Sequence, residues 1–263
     1  MSSTAPPRPS TPSVTLRNSL LEFLLALMLL FGVTTIVRWV IGPSPISSAV
    51  TAPGLQLLIV GAAVGALLSG LVLSPAGQRS GGHVNPAITL SMWRFRVFPG
   101  ASVVPYIAAQ LAGSVLGVLV ARRLWGPVTD SPPVNDAALR PGPGWSSLAL
   151  FPAEAATLAV MVLTVGWFLS VPRLVPFVPA LIGILVGLAI VLLGTVTGGC
   201  ANPARQFGPA LVSGQWNFLW VYLTAPMVGG FLAAALHSAF AGRRLVTHKL
   251  CGTHAATAHP TQG

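Results

Sequence analysis

The chain has 263 residues, a mean hydropathy of +0.78 and only 7% charged residues. Soluble domains carry about 25% charge, so the composition excludes one and requires a polytopic helical membrane protein. The net charge of +10 does not mark a nucleic-acid binder, because the basic residues are spread over loops and tails without the clustering such a footprint needs.

Residues 1–16, rich in Ser, Thr and Pro, have no core to join and read as a disordered cytoplasmic tail. The first apolar run, about 20–41, is too long for a signal-peptide core and lacks a cleavage-like end, so it counts as a spanning helix. A second run, about 53–72, carries Gly61, Ala62, Gly65, Ala66 and Gly70, small residues that let helices approach closely in lipid. A loop then leads to a short segment at about 86–96, opened by Asn85 and Pro86. Asn caps a helix and Pro is tolerated at its first position. So short a helix cannot cross roughly 30 Å of hydrocarbon.

A third span, about 102–120, ends before Arg122 and Arg123. Residues 126–146, rich in Pro, Gly, Asp and Asn, form a polar extracellular linker loop. Spans at about 151–171, 176–195 and 218–240 follow, with a second short segment at about 203–211 between the last two. The polar residues 243–263 are a cytoplasmic tail. Cys200 and Cys251 lie far apart in this topology, with neither disulfide framework nor zinc spacing, so no metal and no cofactor is expected.

The two short segments share a signature. Ser80-Gly81-Gly82-His83-Val84-Asn85-Pro86-Ala87 and Gly198-Gly199-Cys200-Ala201-Asn202-Pro203-Ala204-Arg205 both follow an apolar run and a Gly-rich approach. Irregular backbone survives at membrane depth only where protein buries it or a watery cavity borders it. Matching interruptions in two halves of a membrane protein mark an internal repeat with its site at the junction. The repeats are 17–125 and 147–242, joined by the linker 126–146. The fold class is all-α: six transmembrane helices plus two re-entrant half-helices, arranged as an inverted repeat. Placing both termini in the cytoplasm puts nine of the 14 basic residues inside and four outside, with Arg205 set apart.

This pair of Asn-Pro-Ala motifs resembles the aquaporin, or major intrinsic protein, family over nearly the whole chain apart from the tails. Phe207-Gly208-Pro209, the run from Ala109 through Gln110 to Gly113, and Trp220-Val221-Tyr222 with Pro226 and Gly229 agree with it. The resemblance implies that Asn85, Pro86, Ala87, Asn202, Pro203 and Ala204 meet at the bilayer centre, with the positive ends of both half-helices aimed there. It further implies passage of neutral hydrogen-bonding molecules, exclusion of ions and protons, and a homotetramer in the plasma membrane. Arg205, a permanent cation in an apolar stretch, must face a polar cavity to be tolerated, and in the family it belongs to the outer selectivity filter. Glu22 and Glu154 begin spans in corresponding places. A proton relay is one reading; in the family, matching residues accept hydrogen bonds from the re-entrant loops. His83 reads as a packed loop residue before a pH sensor, and Cys200 as a small buried residue without a base beside it.

Counting from the motifs carries the family's filter onto Gly65, Ile190, Gly199 and Arg205, with Val64 replacing Gly65 if the intervening loop carries a gap. Such a filter has little bulk. Gln206 is neither the Asp common in glycerol facilitators nor the Ser common in water channels, while Ala210, Tyr222 and Leu223 look most like the nodulin-like branch. The sequence reads as a passive channel for small uncharged solutes, glycerol or metalloid hydroxides, together with water. A water-selective channel is the alternative; a secondary transporter would need a coupling-ion site, and no carboxylate can be placed beside Arg205. No nucleophile, base and orienting acid gather on one face, so the reading is not an enzyme.

Overall fold

A computed structural model describes residues 11–240. In chain order the helices are α1 Pro12–Val40, α2 Pro45–Ala49, α3 Pro53–Leu73, α4 Pro75–Ser80, α5 Pro86–Arg94 and α6 Val103–Trp125. The second half holds α7 Ser147–Leu169, α8 Val178–Leu193, α9 Pro203–Ser213 and α10 Leu219–Phe240. Six helical stretches, those of α1, α3, α6, α7, α8 and α10, are long and apolar enough to cross a bilayer. No strand occurs among the described residues.

Proline at the first or second position opens α1 to α5 and α9, where the missing N–H is one the helix cannot use anyway. The helix of Pro12 overlaps the expected tail, so residues 12–16 are the first turns of α1, with Thr15 Oγ1 3.0 Å from Ser102 Oγ next to α6. Residues 1–10 and 243–263, the rest of the expected tails, lie outside the described residues. The third span runs past its expected end to Trp125, with Arg122 and Arg123 in a last turn whose partial negative charge favours cations.

The packing repeats itself. Helix α1 lies on α6 as α7 lies on α10; α3 crosses α8; and each half-helix reaches the other repeat, α9 against α6 and α5 against α10. Exposed Leu24, Leu58, Leu116, Leu188 and Leu232 give the bundle an apolar exterior, while Glu22, Thr89, Gln110, Glu154 and Gln206 are buried. Water would penalise that exterior and a bilayer does not.

Close crossings are set by glycine. A Cβ on Gly61 would meet the Gly187 carbonyl oxygen at 2.7 Å, and one on Gly65 would collide with the Gly183 carbonyl. Gly65 is therefore spent on bringing α3 and α8 together.

Candidate functional site

Both re-entrant loops use one backbone recipe. Counting back from the Asn, the fourth, third and first preceding residues have φ of 107°, 61° and 49° in Gly81, Gly82 and Val84. The values are 94°, 58° and 47° in Gly198, Gly199 and Ala201. A left-handed valine is costly and persists only where its surroundings impose it. Here the imposing groups are buried carboxylates. Glu22 accepts the backbone N–H groups of His83 and Val84 at 3.1 and 2.7 Å, and Glu154 those of Cys200 and Ala201 at 3.2 and 3.0 Å. A planar trans peptide holds its C=O opposite its N–H, so the carbonyls of these loops are turned the other way, towards the cavity that the same residues line.

Asn85 and Asn202 cap α5 and α9. Asn85 Oδ1 accepts from Ala87 N–H at 2.9 Å; Asn202 Oδ1 accepts from Ala204 and Arg205 at 3.0 and 3.3 Å. Each amide then reaches across the repeat junction. Asn85 Nδ2 donates to the Ala201 carbonyl at 2.9 Å, and Asn202 Nδ2 to the Val84 carbonyl at 3.0 Å. Pro86, Ala87, Pro203 and Ala204 form the first turns behind them, and Ala87 and Ala204 are fully buried.

A cavity of about 320 Å³ runs between the halves, from Val72 and Val165 past Asn85 and Asn202 to Ile41 and Arg140. Its wall is largely apolar, with Val33, Val60, Leu68, Leu158, Met161 and Val186 among the lining side chains. Polar groups are confined to the re-entrant loops, the two Asn side chains and the arginines Arg140 and Arg205, together with backbone of the loop at 133–140.

The descriptor of the major intrinsic protein family matches residues 10–237. The chain belongs to this family. A protein described as probable aquaporin AqpM, from Archaeoglobus fulgidus, is 35% identical over 181 residues, spanning 66% of this chain and 72% of its own length. Probable aquaporin TIP4-2 of Oryza sativa subsp. japonica is 40% identical over 174 residues, 63% of this chain and 64% of its own. The X-ray structure of the aquaglyceroporin from Plasmodium falciparum shares the fold, with a TM-score of 0.67 at 20% identity over 86% of this chain and 97% of that one. As a major intrinsic protein the chain is a multi-pass membrane channel.

In this channel Ile190, Gly199 and Arg205 line the cavity, and from α3 so does Val64. Gly65, which the ungapped count selects, does not: a Cβ there would point into the crossing with α8, one helical position round from the cavity. At Gly199, with φ of 58°, a Cβ would meet the Ala189 carbonyl oxygen at 2.5 Å, so a side chain there is excluded both by backbone conformation and by space.

Several further side chains support the loops. Gln110 Nε2 donates to Glu22 at 2.8 Å and to Thr89 Oγ1 at 3.1 Å, and Ser80 Oγ donates to Glu22 at 2.6 Å. Tyr106 and Tyr222 hydroxyls hold the loop carbonyls of Ser80 and Thr197 at 2.8 and 2.6 Å. A lone Gln in an apolar helix was the available signal. His83 Nδ1 lies 3.1 Å from Thr89 Oγ1, its ring against Phe98 and Tyr106; Cys200 is buried with Sγ 3.2 Å from the Asn202 carbonyl. The expected linker is more than a connection. It folds back over the mouth, burying Val134, Asp136 and Ala137, and the Ala137 carbonyl accepts from Arg205 Nη1 at 2.7 Å.

Proposed function

We propose that this channel passively conducts small uncharged solutes, glycerol or metalloid hydroxides, together with water, and excludes ions and protons. The observation that carries the reading is the set of side chains around Arg205. Val64 and Ile190 are aliphatic and Gly199 has no side chain, so the filter has one charged donor and no aromatic bulk. A polyol or an undissociated hydroxide presents hydroxyls to the guanidinium and loop carbonyls while its remaining surface lies on aliphatic wall. Each Asn amide has two N–H groups and uses one across the junction, leaving the other for the passing molecule. The fixed charge of Arg205 and the positive ends of α5 and α9 oppose cations.

The test is stopped-flow light scattering on proteoliposomes, comparing water and glycerol flux for the wild type and for Val64→Phe with Ile190→His. Glycerol flux in the wild type, lost in the double variant while water flux persists, supports the open filter. Water flux alone in the wild type would make it a water-selective channel. Flux that saturates and follows a proton or sodium gradient would instead mean a secondary transporter. The assembly we propose is a homotetramer with one pore per protomer, in the plasma membrane with both termini cytoplasmic.

A further inference from the structure

Gln206 follows Arg205 on α9 and is completely buried. Its side-chain amide pairs both ways with one backbone residue of the linker: Leu139 N–H donates to Oε1 at 2.9 Å, and Nε2 donates to the Leu139 carbonyl at 3.1 Å. This is the pattern one strand residue offers another. Ala138, between Ala137 and Leu139, is extended, with φ of −65° and ψ of 132°. The Ala137 carbonyl, two residues before Leu139, also meets α9, where it accepts from Arg205 Nη1 at 2.7 Å.

The conformation just before Ala138 is not one the chain adopts unaided. Asn135, Asp136 and Ala137 are three successive non-glycine residues with φ of 46°, 53° and 62°. Each left-handed residue is disfavoured, so the turn persists only while something on its far side holds it. Burial of Val134 and the bond from the Asp136 N–H to the Thr129 carbonyl, 2.7 Å, supply part of the hold. The paired amide of Gln206 supplies a part that is directional, and it acts within two residues of the carbonyl that holds the guanidinium.

We infer that Gln206 is a positioning residue for solute selection: by pinning Leu139 it fixes the Ala137 carbonyl, and through that carbonyl the place of Arg205 in the pore. The inference rests on the reading of Arg205 as a filter residue. Gln206 touches no solute, and its effect is on how sharply the filter's width is defined.

The experiment measures the ratio of glycerol to erythritol permeability in proteoliposomes, which is independent of how many channels are active, for the wild type, Gln206→Met and Gln206→Glu. The methionine keeps the length and loses both hydrogen bonds; the glutamate keeps the acceptor for Leu139 N–H. Release of the clamp should lower the ratio about fivefold in Gln206→Met, the equilibrium weight of roughly one net hydrogen bond. Gln206→Glu should fall between Gln206→Met and the wild type. A ratio unchanged in both variants overturns the proposal, even where their thermal stability drops, because Gln206 would then hold only the loop. If Gln206→Met yields no folded protein, Gln206→Glu alone decides by the same criterion. Should the wild type pass only water, the open-filter reading fails separately. The clamp is then judged on water permeability per reconstituted channel, where a change below about twofold in Gln206→Met would overturn it.

Discussion

Glu22 and Glu154 perform the same task in the two repeats: each carboxylate takes the N–H groups of the two residues immediately before a motif Asn, His83 and Val84 in one loop, Cys200 and Ala201 in the other. Four buried donors that no helix or sheet can satisfy are thereby paired. The two carboxylates hold the irregular backbone at membrane depth, and neither lines the cavity.

Replacing either carboxylate with an amide turns an acceptor into a donor against a backbone N–H. Glu22→Gln and Glu154→Gln should each lose about 1–3 kcal/mol, the cost of an orphaned buried donor. Thermal melting followed by size-exclusion chromatography in detergent would report it. Melting points equal to the wild type would show that the loops do not depend on these groups.

Gly65 and Val64 are neighbours in different surroundings, Gly65 at the crossing with α8 and Val64 on the cavity wall. Gly65→Ala forces a methyl group into the Gly183 carbonyl and should cost roughly 1–3 kcal/mol in stability, while leaving the glycerol-to-water ratio of the folded fraction unchanged. Val64→Phe should do the reverse, narrowing the pore with little loss of stability. A pair of flux and melting measurements separates the two, and a change of selectivity in Gly65→Ala would reverse the assignment.

Asn202→Ala removes the cap of α9 and the bond to the Val84 carbonyl together. A helix cap alone is worth about 1 kcal/mol. The variant should melt lower than Gln215→Ala, a change close to the outer end of the same half-helix that leaves the repeat junction intact, and its solute flux per folded channel should fall. Equal fluxes would mean that the cross-junction amides are only structural.

Asp136 gives the channel an acid-dependent stability. Burial pushes its carboxyl up to about 6, against the opposing pull of Arg122, whose Nη1 lies 3.9 Å away; neither carboxylate oxygen has a hydrogen-bond partner among the described residues. Between the unfolded value of about 4 and the folded value the native state holds a proton that the unfolded chain has released. Stability should therefore fall as pH rises from about 4 to 6 and level off above. Asp130 is shifted the other way, below the usual carboxylate range by its hydrogen bond from Arg122. Its contribution is lost only as pH falls below about 4, outside that window. Asp136→Asn should flatten the slope between pH 4 and 6 in a melting series; a persistent slope would assign it to another group.

Hydropathy alone determined that this chain belongs in a bilayer, and its punctuation by Asn-Pro-Ala determined where two half-helices start. Both are local properties: a run of apolar residues declares a span, and a cap followed by proline declares a helix start, whatever packs around them. The duplication of Gly81, Gly82 and Asn85 in Gly198, Gly199 and Asn202 already carried the inverted repeat. The tertiary structure decided the rest, for reasons of phase and distance. Whether Val64 or Gly65 faces the lumen depends on one residue of slack in the intervening loop, which turns a helix by about 100° and which no count can supply. The linker at 126–146 has the composition of a solvated loop. Part of what holds it over the mouth is Gln206, more than sixty residues away, meeting Leu139, and such a contact exists only once α9 and the linker have been brought together.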